Sequence, residues 1–212
     1  MNDIKQNVVT NYWNNIIAEP EIDGIFPMGR CGLVEIYYRG YLEYKNFRKL
    51  VRLNKSANIL EIGCGGGRWA LALHSYVNQY TGIDISKKMI DFAAQQVKEK
   101  NRKNCDFICT SVQDLKSDLL YDVIYFSGVS QYMPDDELKN NINYLKKFLT
   151  KTGIIIDRST ISLEDKGTSI ENPEYFSIYR TEKEISKIYS EQGYKKKLSK
   201  VSYRFLRFPR LF

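Results

Sequence analysis

Glu61-Ile62-Gly63-Cys64-Gly65-Gly66-Gly67-Arg68 is the stretch that decides the fold. It closes an apolar run, Asn58-Ile-Leu-Glu-Ile-Gly63, that reads as a buried strand, and it opens an amphipathic run, Arg68–Val77, that reads as a helix. Glycines at such a junction permit a tight turn and let a ligand approach backbone N–H groups. The N-terminus of the helix adds positive potential. The next strand, Tyr80-Thr-Gly-Ile-Asp84, ends in an acid 17 residues past Gly67. That is near the spacing expected of a carboxylate that binds a ribose hydroxyl pair. The competing role for Asp84 is a cap for the helix starting at Lys87, although Ser86 is the better placed cap.

Outward from this turn the chain alternates strands and helices. Strands are expected at 58–63, 80–84, 105–110, 121–127 and 153–159, and helices at 68–77, 87–100, 135–150 and 181–193. Repeated βα units with continuous apolar strands predict a parallel sheet covered by helices on both faces. Residues 161–180 read as a loop. The end, Lys195 to Phe208, alternates weakly, which suits two adjacent strands. Before residue 57 the chain is helical and aromatic. Val8, Val9, Tyr12, Trp13, Ile16 and Ile17 recur at helical spacing, Pro20 to Gly32 reads as a loop, and a second helix near 34–53 carries Tyr37, Tyr41 and Tyr44 on one face. The organisation predicted is a helical cap over 1–56 and a ligand-binding α/β domain over 57–212.

The 212 residues have ordinary globular composition, which excludes disordered and disulfide-scaffold classes. No apolar run approaches the roughly 20 residues of a membrane span, and the first residues lack the apolar core of a secretory signal. Four cysteines without a CxxC pair read as reduced thiols, so a cytoplasmic location is expected. The net charge of +7 is carried by seven basic residues between Lys195 and Arg210, with no acid among them. A nucleic-acid partner is therefore not expected, since a general binder spreads its excess over a face. The basic end reads as a protected sheet edge at Lys195–Lys197, with Arg204 and Arg207 left open as groups that steer an anionic substrate.

Taken together, Glu-x-Gly-x-Gly-x-Gly at 61–67, Gly82-Ile83-Asp84-Ile85-Ser86, Tyr121-Asp122-Val123-Ile124 and Gly153-Ile154-Ile155-Ile156 resemble the successive motifs of class I S-adenosylmethionine-dependent methyltransferases. The resemblance covers roughly 57–200. It implies a Rossmann-like, doubly wound, seven-stranded and mostly parallel sheet that ends in an antiparallel hairpin. It also implies S-adenosyl-L-methionine as cofactor. Carried over by motif, Glu61, Gly63, Cys64, Gly65, Gly67 and Arg68 surround the methionine and ribose portion. Asp84 takes the ribose hydroxyls, and Ile85 and Met89 flank the adenine. The position that usually carries an acid at the adenine edge falls on Ser111, a departure; the Val112 backbone, with Ser111 or Asp114, takes that place. Ser127 and Gly128 lie beside the cofactor. Tyr37 and Arg39 are further candidates from the helical region. An NAD-binding Rossmann domain is the alternative for the same turn, but its Gly-x-Gly-x-x-Gly pattern ends here on Arg68.

For the chemistry, the lone histidine, His74, reads as helix surface. Without a histidine base or an acidic ligand cluster, a metal-dependent mechanism is not expected. Gln131 and Tyr132, after the strand at 121–127, face the acceptor by family position. Asp157, on an otherwise apolar strand, is the general-base candidate, against an Asp157–Arg158 structural pair. Arg158, Tyr175, Tyr179 and Arg180 are candidate acceptor contacts. The function expected is methyl transfer to a hydroxyl or amine of a small molecule, a sugar or saccharide among the candidates. An RNA or protein methyltransferase and a non-catalytic cofactor binder are the alternatives.

Overall fold

The computed structural model describes residues 2–15, 33–164, 167–172 and 174–201. Two helices, α1 (Asn2–Asn15) and α2 (Leu33–Leu50), precede an alternating core. The core runs β1 (Asn58–Ile62), α3 (Arg68–Leu73), β2 (Gln79–Asp84), α4 (Lys87–Glu99), β3 (Cys105–Cys109), β4 (Tyr121–Ser127), α5 (Asp135–Leu145) and β5 (Leu149–Arg158). A hairpin, β6 (Thr168–Asn172) and β7 (Tyr175–Tyr179), and α6 (Glu182–Glu191) follow.

All four pairings of the main sheet are parallel, in the order β3-β2-β1-β4-β5. The chain winds outward from β1 through β2 to β3, then returns to lay β4 on the other side of β1. That reversal leaves a crevice beyond the carboxyl ends of β1 and β4, where ligands bind in sheets of this kind.

Both faces of the sheet are buried, which is why the central strands read as unbroken apolar runs. Alternate residues of β1 and β4 serve opposite layers. Leu60, Ile62, Ile124 and Phe126 pack with Leu138 and Ile142 of α5 and Ile188 of α6. Ile59, Val123 and Tyr125 pack with Trp69 and Leu73 of α3 and Phe47 of α2. Tyr125, Phe47 and Trp69 meet as a trio with centroids 5.0 to 5.1 Å apart. Alpha-helix α4 is capped by Ser86, whose hydroxyl accepts from Met89 N–H, and α6 by a capping box between Thr181 and Glu184.

The strand count differs from expectation. The main sheet has five strands, and the antiparallel pair is a separate two-stranded sheet at 168–179, within the stretch read as a loop. Tyr175-Phe-Ser-Ile-Tyr179 is rich in β-forming residues, and the Asn-Pro pair before it is a turn signal in the sequence. The expected C-terminal strands are not formed over 195–201, where four lysines in six residues leave no apolar face to bury. Residues 202–212, with Arg204 and Arg207, lie outside the described residues, as do residues 16–32, which include the loop expected from Pro20 to Gly32. Among the described residues, no helix is long and apolar enough to cross a membrane.

Arg180, expected at the acceptor, is instead a clamp. It is buried, and its guanidinium donates to Asp135 Oδ1 at 2.7 and 2.8 Å, to Ser130 O at 2.9 Å and to Met133 O at 2.6 Å. It thus ties the hairpin's exit to the turn that follows β4. Arg180→Met takes the side-chain donor from Met133 O, leaves Ser130 O with the Met133 N–H alone, and breaks the ion pair to Asp135. The expected loss is about 2 kcal/mol of stability, read from the midpoint of denaturant unfolding.

Candidate functional site

The crevice at the strand ends opens into a cavity of about 950 Å3, near the upper end of the ~300–1,000 Å3 usual for ligand sites. Three glycines shape its floor, in different ways. A Cβ on Gly63 would sit 2.0 Å from Val129 Cγ1, and one on Gly67 would press on Ala93 and Phe107. Those two glycines let neighbouring elements pack. A Cβ on Gly65, at φ +50°, would meet no protein atom within 4 Å and points into open space. Gly63, Cys64, Gly65 and Arg68 line the cavity, and Gly67 does not.

The turn is fixed by the end of β2. Gly63 and Cys64 N–H groups donate to Ile83 O at 2.8 and 3.0 Å. The Asp84 carboxylate accepts from Gly65 N–H at 3.0 Å and Ser86 N–H at 2.9 Å. Burial raises its pKa, and these amide donors pull the other way. Asp84 is therefore not the helix cap. Ile85 and Met89 continue the wall, and Ser111, Val112 and Asp114 form its far side, with Ser111 Oγ donating to Asp114 Oδ2 at 2.6 Å.

Glu61 lies beneath the turn, fully buried yet on the cavity wall. Its Oε2 accepts from the Tyr80 hydroxyl, and Oε1 has no hydrogen-bond partner. Burial pushes its pKa up to about 8. An orphaned carboxylate oxygen beside an open glycine cradle, with a strand-end acid opposite, suits a ligand that carries an ammonium and a diol. A second charge cluster adjoins it. Glu43 of α2, 3% exposed, lies within ion-pair distance of Arg68 (3.0 Å), Arg158 (3.4 Å) and Arg39 (3.8 Å). All three arginines line the cavity, and guanidinium groups there suit a ligand carboxylate. The residues present therefore fit S-adenosylmethionine, whose nucleoside, ammonium and carboxylate match these three features.

Ser127 lines the cavity from the end of β4, Gly128, Gln131 and Tyr132 from the segment after it, and Tyr175 and Tyr179 from β7. Gln131 Oε1 accepts from Thr160 N–H at 3.1 Å. Two other expected residues are placed elsewhere. Tyr37 is 44% exposed on α2 and is not on the cavity wall. Asp157 is also absent from the wall. Its carboxylate accepts from Ser130 Oγ at 2.7 Å, Tyr189 OH at 3.0 Å and Ser159 Oγ. Burial raises its pKa and the three hydroxyls lower it. Its neighbour Arg158 takes the place on the wall.

Sequence reasoning expected the helix α1 but did not single out Glu43, Val9 or Trp13 as site residues. Val9 and Trp13 line the cavity, and Asn14 Oδ1 accepts from Ser86 Oγ at 2.7 Å. The four-residue spacing of Val9 and Trp13 marked a helix face, without showing what that face meets.

Residues 59–153 match a family model described as a methyltransferase domain. Over 155 residues the chain is 28% identical to a ubiquinone biosynthesis O-methyltransferase of Rickettsia typhi, which covers 71% of this chain and 56% of that protein. Over 101 residues it is 30% identical to a probable (S)-tetrahydroprotoberberine N-methyltransferase 2 of Papaver bracteatum, covering 47% of this chain and 27% of that one. The chain thus spans little more than half the length of the first of these relatives. Among solved structures, an S-adenosylmethionine-dependent methyltransferase of Leishmania major superposes with a TM-score of 0.71 at 18% identity, covering 90% of this chain and 73% of that one.

Two expectations follow from the floor of the site. Gly65→Val places a branched side chain in the open cradle, so affinity for S-adenosylhomocysteine falls by at least about tenfold in calorimetry, ~1.4 kcal/mol. The second concerns pH. With an empty-site pKa of about 8, Glu61 is mostly protonated at pH 7, and a ligand ammonium favours its carboxylate. Binding therefore releases a proton, and affinity rises with pH up to about 8 and then levels. The ratio of wild-type to Glu61→Gln affinity, measured from pH 6 to 9, isolates this term from titration of the ligand's own α-amino group. A ratio that stays flat would contradict it.

The glycine turn, the acid of β2 and the strand order agree with the family match: residues 59–153 are similar to a methyltransferase domain.

Proposed function

We propose that the protein transfers a methyl group from S-adenosylmethionine to a hydroxyl or amine of a small molecule. The observation that carries this reading is the continuity of the cavity. One volume joins the cradle at Gly65, Glu61 and Asp84 to a wall of aromatic side chains at Trp13, Tyr132, Tyr175 and Tyr179. The cofactor supplies a methyl group on a sulfonium, already attached to a good leaving group. The protein's task is to align the acceptor and exclude water.

Each group has a place in this reading. Asp84 and the Gly65 N–H side of the turn hold the ribose. Ile85, Met89 and Val112 enclose the adenine. Glu61 takes the ammonium, and Arg39 and Arg68 take the carboxylate. Gln131, Tyr132, Arg158, Tyr175 and Tyr179 meet the acceptor. Residues 1–56 act as a cap over the core, supported by Val9 and Trp13 on the cavity wall. The aromatic wall suits a ring-bearing acceptor, sugars included, because rings offer stacking faces.

Asp84→Ala removes two amide-bonded oxygens and the proposed diol acceptor. The expected loss in S-adenosylhomocysteine affinity is about 1.5–3 kcal/mol by calorimetry. Tight binding of NADH, with none of S-adenosylhomocysteine to the unaltered protein, would sink the reading.

A further inference from the structure

Gly40 lies inside α2, where a helix gains nothing from glycine. It is not among the glycines with positive φ, so the backbone does not require it. Glycine is also the poorest residue short of proline for a helix interior. Its place is explained by space. Phe47, Glu43 and Gly40 follow one another at steps of four and three along α2 and share one face. Phe47 packs on Trp69 with ring centroids 5.0 Å apart, and Glu43 accepts from Arg68 Nη2 at 3.0 Å. One step further along that face, a Cβ on Gly40 would lie 2.7 Å from Arg68 Nη1. The guanidinium occupies the room that a side chain would take.

Gly128 repeats the arrangement on the other side of Glu43, where a Cβ would lie 2.6 Å from Arg158 Nη1. Gly128 has φ +79°, however, and its conformation alone calls for glycine. Gly40 has no such second reason.

The seat fixes where Arg68 points. Glu43 holds one end of the guanidinium, and the Trp69 ring centroid lies 5.3 Å from its central carbon. Among the described residues, Glu43 Oε2 is the one hydrogen-bond acceptor of Arg68. A guanidinium carries five N–H donors in a rigid fork, so several remain for a ligand. Arg68 lines the cavity, and it is near enough to Glu61 for its charge to lower the pKa of that acid. An α-amino acid bears its ammonium and carboxylate on one carbon. Recognising both poles takes an acid and a base close together, and Glu61 and Arg68 are such a pair.

We propose that Gly40 is a positioning residue, whose bare backbone seats the Arg68 guanidinium so that its remaining N–H donors meet the carboxylate at the amino-acid end of the methyl donor. This rests on the methyl-transfer reading above and adds to it a residue that acts only through another, since Gly40 is not on the cavity wall. A methyl group at position 40 displaces the far end of a flexible side chain. That costs the fold little, yet it moves a fork whose bonds to a carboxylate depend on direction.

The test separates the two ends of the ligand. S-adenosylhomocysteine carries the amino acid, and 5′-methylthioadenosine keeps the nucleoside and thioether without it. Both are titrated by calorimetry into the unaltered protein, Gly40→Ala, Arg68→Gln and the double variant. In Gly40→Ala, affinity for S-adenosylhomocysteine is expected to fall about fivefold while that for 5′-methylthioadenosine stays within about twofold. The unfolding midpoint holds or rises, because alanine is the better helix residue. In Arg68→Gln the ratio of the two affinities falls about tenfold, and adding Gly40→Ala changes it no further. A ratio unchanged in Gly40→Ala, with or without a lower midpoint, overturns the proposal. So does a ratio that Gly40→Ala lowers equally once Arg68 is replaced, because the effect then does not pass through the guanidinium. Failure of S-adenosylhomocysteine to bind the unaltered protein is a different result, which overturns the methyl-transfer reading and this proposal with it.

Discussion

The site depends on one carboxylate at the end of β2. Asp84 accepts from the amide of Gly65 in one turn and of Ser86 in the next, so a single side chain fixes the β1–α3 turn against the β2–α4 turn. The main chain repeats the tie, with Gly63 and Cys64 both donating to Ile83 O. A glycine turn is otherwise the most mobile kind of backbone. Held at both ends, it keeps the open side of Gly65 towards the cavity. The close packing of Gly67 on Ala93 and of Gly63 on Val129 then brings α4 and the loop after β4 up to the same crevice. Adding side chains at those two positions would move walls of the site, whereas adding one at Gly65 would fill it.

The helices before the core are joined to it by a different interaction. Phe47 of α2 packs on Trp69 and Tyr125, which is ordinary apolar burial. Glu43, four residues earlier, is buried with its charge. A lone buried carboxylate costs several kcal/mol, and pairing offsets this only when partners surround it. Here they come from α2 itself, from the first residue of α3 and from the last residue of β5. Displacing α2 would carry Glu43 and Arg39 away together and take from Arg68 and Arg158 a shared counter-ion. The position of α2 and the charge at that corner of the cavity are therefore one property of the fold.

The core was legible because its signals are local. Buried parallel strands read as unbroken apolar runs, and Ser86 reads as a cap from its place before Lys87. The turn and Asp84 are visible because their spacing is set by one βα unit. What could not be read is what depends on distant partners. Glu43 looks like any acid on a polar helix until Arg68 and Arg158 are brought beside it. Asp157 and Arg158 are neighbours in sequence, but the alternation of a strand sends one to a hydroxyl cluster and the other to the cavity wall. Arg180 looks like a ligand group, yet its partners are carbonyls at Ser130 and Met133, about fifty residues earlier. The hairpin at 168–179 was a missed local signal. The alternating Tyr175–Tyr179 stretch favoured a strand more than the lysine-rich end did.

The cavity wall divides its work between two kinds of group. Glu61, Asp84 and the arginines on Glu43 gather about the glycine turn, while Trp13, Tyr132, Tyr175 and Tyr179 supply rings to the same wall. On the proposed reading the ionic groups hold the ammonium, the diol and the carboxylate of the donor, and the rings enclose the acceptor. Methyl transfer from a sulfonium needs alignment more than activation, because the leaving group is already good. Apolar rings that exclude water strengthen the fixed charges beside them, since the same ion pairs act more strongly in a medium of low dielectric. The aromatic wall and the buried ions are thus two parts of one electrostatic arrangement.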